Sequence, residues 1–178
     1  MRRVDLIRKL LVLFLLVLTA CPAFAEHEIR FDDLIVAIPK GWIATVDDIS
    51  ITLEPADLVD KEEGLFVIIN LPEIESGALD NFFGDQWDVL ADEATVTEKK
   101  GPDKTKHANG WEGLEGTAYM SFEKEGKSFV KLTTFKIEHM HLACVLTTDN
   151  DNLTKSYQRD VDGIMKSLRW EPKKKPKP

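Results

Sequence analysis

Two neighbouring histidines are the first residues in this sequence whose type and spacing suggest chemistry. His139 and His141 are separated by one residue, so on a β-strand both side chains would lie on the same face. Two imidazoles on one face can bind zinc or copper, but such a site needs further ligands. His27, His107 or an acidic residue would have to supply the third. The pattern fits either a metal site or the solvated end of a hairpin.

Two tryptophans are candidates for lining a ligand pocket. Trp42 and Trp111 each follow a glycine, at positions where a loop is predicted to enter a strand. An aromatic ring at such a position either lines a pocket or packs in the core. We therefore take Trp42, Trp111, His139 and His141 as candidate ligand-binding residues, with core packing as the alternative for the tryptophans.

The motifs of the common catalytic sites do not occur in the sequence. It contains no Gly-x-Ser-x-Gly, no His-Glu-x-x-His and no phosphate-binding loop. Asp47, Asp48 and the acidic segment 149–152 offer oxygen ligands for calcium, but that segment lacks the spacing and terminal glutamate of a calcium loop. We interpret it as a loop and helix cap. We therefore predict no catalytic residue, no metal and no cofactor, with a metal-dependent hydrolase using His139 and His141 as an alternative.

The N-terminal 25 residues have the build of a secretory signal peptide. Four basic residues precede an apolar run over residues 10–18, and Ala23-Phe24-Ala25 supplies the small residues of a cleavage site. The run has nine residues, whereas a membrane-spanning helix needs roughly 20. We therefore predict a signal peptide over residues 1–25, a mature chain that begins at Glu26, no later membrane-spanning segment, and a periplasmic or secreted location.

A lipid anchor is the alternative way to process the same segment. Leu18-Thr19-Ala20-Cys21 resembles a bacterial lipobox, in which the cysteine becomes the acylated N-terminus. However, Pro22 follows the cysteine, and a strand is predicted from about residue 28. Almost no polar tether would separate the membrane from the fold. The soluble form is favoured, and a lipoprotein anchored at Cys21 in an envelope assembly stays open.

The mature chain is strongly acidic. The whole chain has a formal net charge of −8, and removing the four basic residues and one acidic residue of segment 1–25 gives −11. The segment 171–178 has four lysines and one glutamate, so residues 26–170 have a net charge of −14. Such a surface repels nucleic acid and anionic lipid. We expect no nucleic-acid partner, and an unidentified protein or small ligand instead.

One cysteine is left after the predicted cleavage. Cys144 lies in an apolar segment, and a free cysteine in such a setting usually behaves as a small buried hydrophobe. Since a single cysteine cannot form an internal disulfide, stability has to come from a hydrophobic core. The Lys- and Pro-rich segment 171–178 is predicted to be a disordered, solvated tail.

The apolar pattern predicts a single α+β domain over residues 26–170. Long antiparallel hairpins and two separate helices indicate an antiparallel sheet with helices packed on its faces. Predicted strands cover residues 28–31, 34–38, 49–53, 65–70, 94–100, 111–123, 127–137 and 142–148. Gly101-Pro102-Asp103 is predicted to be a turn. One helix is predicted over residues 76–93 with Ser76 as its N-cap, and a second follows segment 149–152.

The order of these elements resembles the PsbP-like domains, which share a fold with the yeast Ran-release factor. The segments that carry the resemblance are Ala37-Ile38-Pro39-Lys40-Gly41-Trp42, Gly110-Trp111-Glu112-Gly113-Leu114-Glu115-Gly116, Val145-Leu146-Thr147-Thr148 and Ile164-Met165-Lys166-Ser167-Leu168. The resemblance covers roughly residues 28–170. It implies a PsbP-like antiparallel sheet between helices and a non-enzymatic accessory or binding module of the cell envelope, without catalytic residues to carry over.

The sequence departs from this family at Glu138-His139-Met140-His141. The family usually has Asp, Asn or Gly in this turn, and a tight two-residue turn favours those residues. We therefore expect a wider connection between the two strands in this protein.

Overall fold

The computed structural model describes residues 25–74, 77–92, 94–122 and 126–172. The predicted signal peptide up to residue 24, with Cys21, lies outside these residues, as do Ser76 and most of the predicted tail. The strands within them are β1 (Ala25–Phe31), β2 (Leu34–Pro39), β3 (Trp42–Val46), β4 (Ser50–Pro55), β5 (Leu65–Asn70), β6 (Glu73–Ile74), β7 (Thr95–Lys106), β8 (Glu112–Phe122), β9 (Gly126–Ile137), β10 (Met140–Thr148) and β11 (Arg169–Trp170). The helices are α1 (Leu79–Ala91) and α2 (Asp151–Ser167).

The strands form two antiparallel sheets. The larger sheet has the order β3-β4-β5-β10-β9-β8-β7, with β6 paired beside the start of β10, and the smaller has the order β1-β2-β11. The predicted α+β fold, an antiparallel sheet with helices packed on its faces, is confirmed.

The two helices pack on opposite faces of the larger sheet. Along β10, Cys144 belongs to the core beneath α2, whereas Ala143 and Val145 belong to the core beneath α1. This alternation follows from the two-residue period of a strand. The apolar side of α2 faces the sheets, where Val161 and Ile164 are buried. Both faces of β10 are therefore covered, which explains its nearly continuous apolar sequence.

The segment predicted to be a turn at Gly101-Pro102-Asp103 lies inside β7, and that prediction was wrong. The strand runs past it with two irregularities in its pairing to β8. Gly101 has a φ of +88°, and a Cβ built there would lie 2.6 Å from the carbonyl oxygen of Glu115. Because β7 is an edge strand, it tolerates a proline and bulges that a central strand would not.

The connection between β9 and β10 is tighter than expected. Ile137 pairs directly with Met140, which leaves only Glu138 and His139 in the turn. Glu138 has a φ of 54°, the left-handed conformation that such a turn requires. A glutamate therefore takes the position usually held by Asp, Asn or Gly, and the expected wider connection was wrong.

The two segments with oxygen ligands for calcium accept backbone hydrogen bonds instead, one at the start of α2 and one in the connection between β3 and β4. Asn150 is the N-cap of α2, and its side chain accepts a hydrogen bond from the Asn152 backbone N–H at 2.9 Å. The Asp47 carboxylate accepts bonds from the backbone N–H groups of Ile49 and Ser50, at 2.8 and 2.7 Å. Helix α1 begins at Leu79 with Ala78 as its N-cap, so the predicted start at Ser76 was wrong.

Candidate functional site

A groove runs between α2 and the larger sheet, and we call it the α2 groove. Its apolar floor includes Val67 of β5, Phe135 of β9 and Leu146 of β10. It encloses about 330 Å³. Its two walls come from the C-terminal half of α2 and from the end of β7. Its sheet side is built from residues of β5, β10, β9, β8 and β7, which are consecutive in the larger sheet.

The helix wall of the α2 groove combines apolar and charged side chains. It consists of Val161, Asp162, Met165 and Lys166, which recur at spacings of three and four and so share one side of the helix. Val161 is buried, Met165 is half-buried, and the two charged residues are exposed. The apolar part of this wall thus faces the floor, and the charged part lies at the opening.

Lysines outnumber acidic residues around the α2 groove. Lys106, Lys131 and Lys166 line it together with Glu115 and Asp162. The Lys131 ammonium lies 2.9 Å from the Glu115 carboxylate, so these two charges offset each other. In the described part of the chain, Lys106 and Lys166 have no ion-pair partner. They leave two cations at the rim.

His107 connects the groove to the end of α2. Its Nε2–H donates to the Met165 carbonyl at 2.7 Å, and its Nδ1 accepts from the Asn109 backbone N–H at 3.1 Å. These bonds fix the neutral tautomer with the proton on Nε2. The ring stacks on Trp111 with centroids 4.6 Å apart and meets Phe135 edge-on at 5.2 Å. Burial lowers the pKa of His107, although the bond to Met165 opposes this effect.

Cys144 forms part of the groove floor and confirms the prediction of a buried free thiol. Cys144 is only 2% exposed to solvent. Burial raises the pKa of the thiol far above neutral pH, so it stays protonated and is a poor nucleophile. His107 already uses both ring nitrogens. The thiol and the imidazole of the groove are thus a protonated group and a ring engaged at both nitrogens.

The structure places the four predicted ligand-binding residues outside the lining of the α2 groove. Trp42 is buried, and its Nε1–H donates to the Asp160 carboxylate at 3.1 Å. Trp111 is half-buried and contacts the groove lining through its stack on His107 and a tilted ring contact with Phe135, with centroids 6.2 Å apart. Of the two tryptophans, Trp111 thus comes nearest to the predicted role.

The two histidines predicted to share a strand face do not do so. His139 lies exposed in the turn between β9 and β10, whereas His141 is buried on β10 with its ring 5.0 Å from that of Phe82 on α1. The expected geometry fails because the turn is tighter than predicted and β10 begins only at Met140. Within the described ranges, no group of three His, Cys, Asp or Glu residues is placed to hold a metal ion.

The α2 groove could not be predicted from the sequence because its lining residues are scattered along the chain. Val67, Lys106, Leu146 and Met165 are brought together only by the sheet order and the packing of α2. One local signal was present. The polar Lys131 and Thr133 alternate with the apolar Val130 and Leu132 on β9, which indicates a face that is not fully apolar. No sequence rule links that face to the side of a helix thirty residues later.

Similarity to known proteins is evident from structure and not from sequence. No protein-family model matches the chain, and no curated protein matches it either.

Among the described residues, no helix is both long and apolar enough to cross a membrane.

Several solved structures have the same fold. LpqN of Mycobacterium tuberculosis, described as involved in cell envelope biogenesis, aligns with a TM-score of 0.60 and 11% identity over 82% of this chain and 90% of its own. Cyanobacterial PsbP of Synechocystis aligns with 0.56 and 12% identity over 85% and 95%. The Ran-binding protein Mog1p of Saccharomyces cerevisiae aligns with 0.54 and 10% identity over 82% and 96%. This chain therefore has the fold that PsbP-like and Mog1-like structures share.

Proposed function

We propose that this protein is an exported, non-enzymatic binding module of the cell envelope, and that the α2 groove holds its ligand. The observation that carries the proposal is the groove itself, with an apolar floor and two unpaired lysines at its rim. A concave apolar site with a few polar groups is the usual form of a small-molecule site. The predicted signal peptide over residues 1–25 supports export.

The fold neighbours support an accessory or binding role. LpqN is described as involved in cell envelope biogenesis, and Mog1p as a Ran-binding protein. The chemistry of the groove agrees, since the Cys144 thiol is protonated and His107 is engaged at both nitrogens. We further propose that residues 26–170 form one domain and that residues 171–178 form a solvated tail.

The test is the native mass of the protein purified gently from the envelope of its own cells. We expect a chain that begins at Glu26 and carries additional bound mass. A variant Ala108→Trp places a large side chain at the edge of the groove and should lose that mass. Ser156→Trp, on the exposed part of α2, is the matched control and should retain it. Bound mass that survives Ala108→Trp would contradict the assignment of the groove.

An anchored lipoprotein is a second candidate, favoured by the Leu18-Thr19-Ala20-Cys21 lipobox pattern. The described fold begins at Ala25, where β1 starts, so an anchored form would hold the fold within a few residues of the membrane. The same mass measurement separates the two forms. A chain starting at an acylated Cys21 would replace the soluble form with the lipoprotein, and a chain starting at Glu26 would exclude it.

A further inference from the structure

The α2 groove carries excess positive charge on a strongly acidic protein. Residues 26–170 have a formal net charge of −14, whereas the groove has three lysines and two carboxylates. Lys106 and Lys166 stand on opposite walls and are the two lysines of the groove lining without an ion-pair partner among the described residues. An anion that the rest of the surface repels is therefore attracted to this opening.

The interior of the groove is apolar where its rim is charged. Val67, Leu146 and Val161 are buried residues that face the space, and Met165 adds a flexible apolar side chain that adapts to different shapes. The volume of about 330 Å³ lies near the lower limit for small-molecule sites, which is about 300 Å³. The space suits one slender apolar chain rather than a folded partner.

Resting on the proposed function, we infer that the ligand is a small amphipathic anion. Its acidic head, a carboxylate or a similar group, lies at the rim between the ammonium groups of Lys106 and Lys166. Its single apolar chain lies on the floor formed by Val67 and Leu146. The acidic surface of the protein opposes binding to an anionic membrane, so the source is the free single-chain molecule rather than lipid in a bilayer.

Calorimetric titration with three probes of equal chain length tests the head group. We expect octanoate to bind about tenfold more tightly than octanol, because a charge-assisted hydrogen bond is stronger than a neutral one. Octylammonium should bind more weakly than octanol, since its charge has the same sign as the rim lysines. Added salt should weaken octanoate binding and leave octanol binding nearly unchanged.

Single-lysine variants locate the head group. Lys106→Gln and Lys166→Gln should each weaken octanoate binding about tenfold without changing octanol binding. Lys155→Gln removes the same charge from an exposed position of α2 outside the groove lining, and octanoate binding should be unchanged. An equal loss in all three variants would indicate a general charge effect and overturn the assignment of the rim lysines.

The outcomes separate this inference from the proposed function. Equal affinity for octanoate and octanol, with both lost in Ala108→Trp, would overturn the anionic ligand and keep the groove as a binding site. No binding of any probe, or binding that Ala108→Trp does not affect, would overturn both. Flotation with phosphatidylglycerol vesicles tests the source, and we expect the protein to stay unbound. Co-flotation would overturn the free molecule as the source.

Discussion

The Nε2 atom of His107 lies 2.7 Å from the carbonyl oxygen of Met165. This contact joins the turn between β7 and β8 to the C-terminal end of α2, where the last carbonyl groups of a helix lack partners within the helix. Asn109 adds a second bond, since its Nδ2–H donates to the Leu168 carbonyl at 2.7 Å. The turn therefore caps α2 with side chains and fixes the distance between the two walls of the groove.

Replacing His107 by phenylalanine should destabilise the fold. The ring and its stack on Trp111 are kept, but the Met165 carbonyl and the Asn109 N–H lose their partners. An unpaired buried polar group costs about 1–3 kcal/mol, and we expect a loss in this range from urea unfolding at neutral pH. His139→Phe, in the exposed turn, is the control and should change the free energy of unfolding by less than about 0.5 kcal/mol. Equal effects would show that the cap contributes nothing.

The free energy of unfolding should decrease as the pH is lowered, because of His107. Burial lowers the pKa of His107 in the folded state, whereas in the unfolded chain it is about 6.5. As the pH falls, the unfolded chain takes up a proton first. The stability that His107 contributes is therefore complete above about pH 6.5 and lost as the pH falls through the folded-state pKa. Unfolding curves across this range should show a shallower decline for His107→Phe, and an unchanged slope would refute this linkage.

Two glycines should respond to alanine in opposite directions. Gly101 has a φ of +88° and no room for a Cβ beside the Glu115 carbonyl, so Gly101→Ala should cost about 1–3 kcal/mol. Gly84 lies inside α1 with nothing within 4 Å of an added Cβ. Gly84→Ala should instead stabilise the fold by about 0.5–1 kcal/mol. Thermal unfolding of both variants measures the signs, and stabilisation by Gly101→Ala would contradict the bulged path of β7.

Cys144 should be nearly inert in the folded protein. It is 2% exposed, and its pKa is raised by burial, so little thiolate is present to react with a disulfide reagent. We expect slow labelling in native buffer and rapid, complete labelling in urea. Fast labelling of the native protein would mean that the floor of the α2 groove opens to solvent.

The sequence predicted elements well where one physical signal dominated. Residues 65–70 form β5 as predicted, since a β-branched apolar run bounded by charged residues and a proline has few other solutions. The failure at Gly101-Pro102-Asp103 has the opposite cause. A strong local turn signal was overridden by pairing with β8, which is a contact with residues far along the chain.

The site was less predictable than the fold. The position of Cys144 followed from its apolar neighbours, but the neighbours of Lys106 and Lys166 depend on how α2 packs against the sheet. The prediction that His139 and His141 share a strand face failed for a local reason, because the turn at Glu138 leaves His139 outside β10. A search by residue type selects tryptophan and histidine, which are uncommon. The α2 groove is lined mostly by common residues such as valine, leucine and lysine.

The α2 groove is the proposed ligand-binding site of this protein. The most direct measurement is an amide NMR titration of the isotope-labelled mature protein with octanoate. We expect shift changes concentrated at Lys106, His107, Leu146 and Met165, with the turn at His139 unaffected. Changes centred on His139, or on the far edge strand β3, would contradict the claim, as would a spectrum that does not change.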